Sequence, residues 1–83
     1  NIYILVIKMD NFQKLKDIFE CNGIFIDEDE YDDDLLLDSI QFVTLIVAIE
    51  SKFTFSVDES YMLAGRLQTF NSFYKMIEEN ISI

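Results

Sequence analysis

Leu35-Leu36-Leu37-Asp38-Ser39-Ile40-Gln41-Phe42-Val43 is the stretch that decides the fold, because it joins an acidic run to a long apolar run. Asp38 and Gln41 form the Asp-x-x-Gln pattern of a capping box, in which each side chain binds the other residue's backbone N–H group. The pattern predicts a helix that begins here and continues to Phe53. Since Ser39 directly follows the expected cap, its hydroxyl is predicted to lie in the first turn.

Two apolar stripes follow the predicted helix. The first stripe has helical spacing and is expected to face the core; it consists of Phe42, Leu45, Ile46, Ile49 and Phe53. Ile40, Val43 and Val47 form a second stripe, offset from the first. A surface helix is normally polar at such positions, so the second stripe indicates either deep burial or a docking face.

The segment before this stretch predicts one helix and an uncertain start. Asp10 and Gln13 repeat the Asp-x-x-Gln pattern, and Asn22-Gly23 is a helix stop, so we expect a helix that begins near Asp10. Residues 1–9 are an N-terminal extension with three open interpretations. They form a strand, they extend the helix backward, or they are extra residues at the start of the chain.

The segment after the stretch predicts two further helices. Ser56 and Glu59 form a capping pair that predicts a short helix ending near Gly65. A final helix is expected from Thr69 to Asn80, with Phe70, Phe73, Tyr74, Ile77 and Ile81 on one stripe. We therefore predict a single all-α domain over residues 1–83, a small four-helix bundle with three longer helices and one short helix.

The composition excludes several classes of function. The chain has 83 residues and no His, which rules out Ser-His-Asp triads and His-ligated metal sites. A net charge of −10 opposes binding to nucleic acid and to anionic membranes and favours basic partner surfaces, or it serves solubility alone. The lone Cys21 is expected to be a small hydrophobe, buried or half-buried. We expect a cytoplasmic monomer without a membrane span, since the apolar runs are far shorter than roughly 20 residues.

The acidic run does not predict a dedicated metal site. Asp27 to Asp34 contains seven carboxylates in eight positions, which invites comparison with a calcium-binding EF-hand loop. Counted from Asp27, the third ligand position is Tyr31, the glycine position is Asp32 and the twelfth position is Asp38, so the match fails. We predict a solvated, extended acidic loop and no metal ligands.

Ser39 is the candidate functional residue, although it is not expected to be catalytic. Unpaired N–H groups and the helix dipole favour a negative group at a helix start, such as a phosphate ester. The chain has no Gly-x-Ser-x-Gly elbow, no His and no nearby Lys to act as a base. Three interpretations stay open: Ser39 assists the cap beside Asp38, it is phosphorylated in an acidic context, or another enzyme attaches a group to it.

The order of these elements, from about Asp10 to Ile81, resembles the carrier-protein family of acyl, peptidyl and D-alanyl carriers. Residues 36–40 are similar to the Asp-Ser-Leu type attachment motif of that family. Residues 45–53 look like its recognition helix, which ends in a Glu-x-x-Phe pattern. Residues 54–57 match the extended link that follows, and residues 69–73 match the start of the last helix.

The resemblance implies a phosphopantetheine arm on Ser39, donated by coenzyme A through a phosphopantetheinyl transferase. The arm would carry an acyl or aminoacyl group as a thioester, and Asp38 would help to position the transferase. Adenylating ligases or synthases with basic surfaces would dock on Ile40, Val43, Val47 and Glu50, steered by the acids Asp32, Asp33, Asp34, Asp38 and Glu50.

Departures from the family pattern narrow the expectation. Fatty-acid carriers commonly have a Gly two residues before the motif Asp and more acids along the recognition helix. In this chain the local stretch is Leu35-Leu36-Leu37, and Thr44 and Ile46 stand where acids are usual. The stretch looks closer to D-alanyl and other amino-acid-loading carriers. The alternative from another class is an acidic helical adaptor without a prosthetic group, whose offset stripe binds a partner helix.

Overall fold

The computed structural model describes residues 1–63 and 65–81, and in these residues it contains three α-helices and no strand. Helix α1 is Ile2–Cys21, α2 is Ser39–Phe53 and α3 is Phe70–Asn80, with 3₁₀ helices at Glu28–Glu30 and Glu59–Met62. The predicted all-α class is confirmed. None of the helices in the described ranges combines the length and the apolarity needed to cross a membrane.

The core lies where the three α-helices meet. Aromatic rings join α1 to α3: Phe19 packs edge-on against Phe70 and Phe73, with ring centroids 5.2 and 5.4 Å apart. Edge-to-face pairs of this kind add to the stability that burial alone gives. Helix α2 closes the core with the first of its two stripes, of which Leu45, Ile46 and Ile49 are buried and Phe42 and Phe53 are half-buried.

The predicted start of α1 near Asp10 is wrong, because α1 begins eight residues earlier at Ile2. The Asn1 side chain accepts a hydrogen bond from the Tyr3 N–H group and caps the helix there. Both members of the expected capping box have other partners one turn along α1. The Asp10 carboxylate pairs with Lys14 at 3.1 Å, and the Gln13 amide donates to Asp17 at 2.9 Å. Of the three interpretations of residues 1–9, the backward extension is correct.

The end of α1 is where the sequence predicted it. The side-chain amide of Asn22 donates to the Ile18 carbonyl at 2.8 Å, and Gly23 takes a φ of +80°, a conformation that glycine adopts without strain. Cys21 is exposed, so its prediction as a buried or half-buried hydrophobe is wrong. The stripe that packs against the core ends at Phe19, and the last turn of α1 turns Cys21 towards solvent.

The short helix predicted after Ser56 is a single 3₁₀ helix, Glu59–Met62. Its cap is Asp58 and not Ser56, because an Asp58 carboxylate oxygen accepts the Ser60 N–H group at 2.8 Å. This hydrogen bond holds the pKa of Asp58 below its usual value. The described residues therefore contain no fourth α-helix at this position. The final helix is confirmed: α3 begins after a capping box formed by Thr69 and Ser72.

Candidate functional site

The cap of α2 has the predicted geometry and is complete without Ser39. The Gln41 N–H group donates to Asp38 Oδ1 at 2.7 Å, and the Asp38 N–H group donates to Gln41 Oε1 at 3.2 Å. Ser39 is the first residue of α2, is exposed, and provides neither side chain of this box. Asp38 and Gln41 therefore provide the cap. The interpretation in which Ser39 assists the cap is not needed, and the serine hydroxyl lies outside the capping box.

Residues 35–37, which lead into α2, are held to the rest of the protein by a hydrogen bond and by packing. The Leu35 N–H group donates to the Gln68 carbonyl at 2.8 Å, and Leu35 and Leu37 pack against the core. Leu36 lies between them with a φ of +52° and an 83% exposed side chain. Its N–H group donates to Asp34 Oδ1 at 2.9 Å. Because this segment is held at both leucines and at the cap, Ser39 has a fixed position relative to residues 62–68.

A groove of about 430 Å³ lies beside Ser39, between the start of α2 and residues 62–63 and 65–68. Its walls are partly apolar and partly polar, and Asp34 and Asp38 are the ionisable residues that line it. It is lined by Asp34, Leu36, Leu37, Asp38, Ser39, Phe42, Val43, Met62, Leu63, Gly65, Leu67 and Gln68. Within the described residues, no Lys or Arg lines the groove.

The offset stripe of α2 is exposed, which excludes the deep-burial interpretation. Ile40 is 78% exposed, and Val43 and Val47 are each 58% exposed. Val43 also lines the groove, so the stripe meets the groove at this residue. Large contiguous apolar patches are typical of interaction surfaces, so the docking face is the interpretation of the stripe that stays open.

Glu50 lies on the same side of α2 as Val43 and Val47 but far from Ser39. It is eleven residues from Ser39, which corresponds to about 16 Å along a helix axis. It is half-buried, and its Oε2 accepts the Val57 N–H group at 2.8 Å. The sequence analysis identified Glu50 only as a docking acid. It missed this structural bond, since no local pattern relates a helical Glu to a loop N–H group seven residues later.

The acids of the loop before α2 have separate environments. Asp32 accepts a hydrogen bond from the Asn71 side-chain amide at 2.8 Å, which ties the loop to α3. Asp33 and Asp34 are exposed, next to the groove end of the loop. Asp27, Asp29 and Glu30 are exposed, and their carboxylate oxygens lie within 4.8 Å of one another. Exposed acids are common at such spacing without an ion, so the cluster is not assigned a ligand role.

Three groove residues were missed by sequence reasoning. Leu36, Met62 and Leu63 are exposed apolar residues that line the groove near Ser39. Met62 and Leu63 are distant in sequence from α2, and no periodic pattern connects them with it.

Comparison with protein-family models, with curated proteins and with solved structures gave no significant match to this chain. The function is therefore argued from the residues and geometry of the site.

Proposed function

We propose that the protein is a non-catalytic carrier of acyl or aminoacyl groups, with a phosphopantetheine arm joined to Ser39 by a phosphodiester. One observation carries the proposal. The Ser39 hydroxyl is exposed in the first turn of α2, outside a completed capping box and at the edge of an apolar groove. A serine in this place is accessible to an enzyme and is not needed for the fold.

The start of α2 suits the phosphate of the arm. The first N–H groups of a helix lack intrahelical partners, and the helix dipole favours negative charge at this end. Of these groups, the Gln41 N–H is bound by Asp38. Ser39 occupies the first position of the helix, so a phosphate attached to it would lie at the helix start. The groove beside it, at about 430 Å³, lies within the range of roughly 300–1,000 Å³ that small-molecule sites occupy. Its apolar walls suit the arm and cargo.

In the proposed attachment step, this chain provides the hydroxyl and the transferase provides the base. Ser39 Oγ forms the new P–O bond while the pyrophosphate bond of coenzyme A breaks, releasing the adenosine bisphosphate portion. The hydroxyl proton leaves to the transferase, since Asp38 Oδ1 is held in the cap and Asp34 Oδ1 accepts the Leu36 N–H group. Once attached, the arm provides a thiol that carries the cargo as a thioester.

The order of elements supports a bundle of the acyl-carrier type. Two long helices are followed by a short helical turn and a third long helix, which is the succession expected of a four-helix carrier with its short helix reduced to Glu59–Met62. An amino-acid cargo fits better than a fatty acyl chain on sequence grounds. Leu35-Leu36-Leu37 precedes the motif, and Thr44 and Ile46 replace acids on α2.

The proposed partners are a phosphopantetheinyl transferase and the ligases or synthases that load and unload the arm. They would contact the exposed stripe formed by Ile40, Val43 and Val47. Asp34 and Asp38 line the groove beside Ser39, and Asp33 is exposed in the same loop as Asp34, so basic partner surfaces would be steered towards Ser39 and association would slow as salt increases. Glu50 would add to this field from the far end of α2.

Intact mass spectrometry tests the proposal directly. The purified apo protein is incubated with coenzyme A and a broad-specificity phosphopantetheinyl transferase, next to Ser39→Ala and Ser51→Ala. Ser51 is also an exposed serine of α2 and is the matched control. Wild type and Ser51→Ala should each gain one phosphopantetheine, and Ser39→Ala should gain none. The proposal is wrong if wild type gains no mass, or if Ser39→Ala gains as much as wild type.

The exposed stripe also favours a second function, that of an acidic adaptor whose stripe binds an amphipathic partner helix. Helices of this kind lay their apolar face into a hydrophobic surface. The adaptor needs no modified serine, so it predicts no mass gain and full partner binding by Ser39→Ala. The same mass measurement therefore separates the two functions.

A further inference from the structure

Leu36 combines a backbone conformation and an exposure that the fold does not explain. Its φ of +52° lies in the left-handed region, and its side chain is 83% exposed. A leucine in this region crowds its Cβ against the backbone, so glycine or asparagine is usual there. An exposed leucine also gains little from the hydrophobic effect when the chain folds. The side chain therefore contributes little to the stability of the protein that carries it.

The turn requires the backbone conformation but not the leucine side chain. The hydrogen bond to Asp34 is made by the Leu36 backbone N–H group, and the bond to Gln68 is made by the Leu35 N–H group. Leu35 and Leu37 pack against the core on either side. A glycine at position 36 would keep both hydrogen bonds and both packed neighbours, so the turn does not require the leucine side chain.

Leu36 completes an exposed apolar rim around Ser39. It lines the groove together with Val43, Met62 and Leu63, all of which are exposed. Carboxylates at Asp34 and Asp38 border the same rim. The complementary surface is an apolar pocket flanked by Lys or Arg, since unlike charges attract and like charges oppose docking. Leu36 and Ser39 line the same groove, so a macromolecule that reaches the Ser39 hydroxyl from the groove also approaches the exposed Leu36 side chain.

We infer that Leu36 is a recognition residue for the phosphopantetheinyl transferase, inserting into an apolar pocket that basic residues of that enzyme surround. This inference rests on the proposed function and deepens it. Leu36 does not take part in the transfer chemistry. Its loss should therefore weaken docking, which raises KM for the apo carrier while kcat stays near the wild-type value.

Thr54 provides a matched control for the backbone. Leu36 and Thr54 are the non-glycine residues with positive φ in the described ranges, and Thr54 has a φ of +58°. Thr54 lies at the opposite end of α2, where its left-handed conformation ends the helix and its N–H group donates to the Glu50 carbonyl at 3.0 Å. It does not line the groove. Replacement by glycine changes backbone strain at both sites but removes a rim side chain only at position 36.

Steady-state kinetics of transfer from coenzyme A test the inference with apo wild type, Leu36→Gly, Leu36→Met and Thr54→Gly. Circular dichroism melts first establish that each variant is folded. For Leu36→Gly we expect KM for the carrier to rise about tenfold or more, the scale of losing one buried apolar anchor. Leu36→Met restores an apolar side chain and should recover most of the loss, and Thr54→Gly should match wild type.

Three results would overturn the inference while wild type is still modified. They are an unchanged KM for Leu36→Gly, an equal rise for Leu36→Gly and Thr54→Gly, and a fall in kcat alone. A fall in kcat alone would mean that the Leu36 side chain contacts the arm in the groove and not the transferase. Failure of wild type to accept the arm would overturn the proposed function, and this inference with it.

Discussion

The Glu50 carboxylate accepts the Val57 N–H group at 2.8 Å, which fastens the last turn of α2 to the segment that follows it. Val57 is buried, and its N–H group would have no partner in the protein if this carboxylate were removed. The acid that the sequence predicted as a docking charge is therefore a structural acceptor. This structural role means that a change in partner binding by Glu50 variants has to be separated from a change in folding.

Glu50→Ala should lower the free energy of unfolding by about 1–3 kcal/mol, because it leaves a part-buried N–H group unsatisfied. Glu50→Gln keeps an acceptor oxygen and removes only the charge, so it should be destabilised less. Urea unfolding followed by circular dichroism measures both. If Glu50→Gln folds like wild type but accepts the arm more slowly at low salt, the charge also steers partners. If Glu50→Ala is as stable as wild type, the bond to Val57 contributes nothing.

Asp38→Ala should destabilise the protein by about 1 kcal/mol, the usual contribution of an N-cap side chain. Asp38→Asn keeps a side-chain oxygen that can accept the Gln41 N–H group, so its unfolding midpoint in urea should stay near wild type. Equal loss in both variants would mean that the charge beside the helix dipole dominates over the hydrogen bond. Transfer to Ser39 measured on Asp38→Asn then reports the role of the carboxylate with the cap intact.

Val43→Asp and Val47→Asp should slow attachment of the arm while leaving helix content unchanged. Both side chains are 58% exposed, so a carboxylate there stays hydrated and does not disturb the core, but it removes apolar contact area from a partner. Lys52→Gln is the matched control, because Lys52 is exposed on the other side of α2 and its loss changes the net charge by the same amount. Loading rates that are equal in all three variants would show that the stripe is not a docking face.

Local signals predicted much of the fold because the partners in them are adjacent in sequence. The Asp38–Gln41 box and the Asn22-Gly23 stop depend on residues within one turn, and both have the expected geometry. The same Asp-x-x-Gln pattern failed at Asp10. There the Asp10 side chain pairs with Lys14 and the Gln13 side chain donates to Asp17. The apolar residues before Asp10 continue the helix towards the N-terminus. A capping pattern predicts a start only where no helical neighbour competes for its side chains.

The candidate site was predictable in part, because some of its residues are also close to one another in sequence. Helical periodicity predicted the offset stripe but left open whether it is buried or exposed. The groove could not be predicted, because it exists only once residues 62–63 and 65–68 lie against the start of α2, and that contact is set by the Leu35 to Gln68 hydrogen bond and by core packing. Leu36 shows most clearly what the sequence could not predict. In the sequence it is one of three consecutive leucines, and its positive φ, which only the structure shows, separates it from its neighbours.

Removal of residues 1–7 should leave the fold stable and reduce self-association. These residues extend α1 beyond the core with apolar side chains on all sides, and Ile2 and Tyr3 are 71% and 75% exposed. The specific contacts from this end to α3 both involve Lys8, which is kept. Its carbonyl accepts the Tyr74 hydroxyl at 3.1 Å, and its ammonium pairs with Glu78 at 3.6 Å.

We expect the shortened chain to lose no more than about 1 kcal/mol in urea unfolding, since the helix keeps its packed residues and exposed contacts contribute little. Leu15→Ala is the reference for a true core residue of α1, with an expected loss of about 2–5 kcal/mol. Sedimentation velocity at high concentration should show less association for the shortened chain, because exposed apolar patches drive it. A loss comparable to that of Leu15→Ala would instead place residues 1–7 in the folding unit.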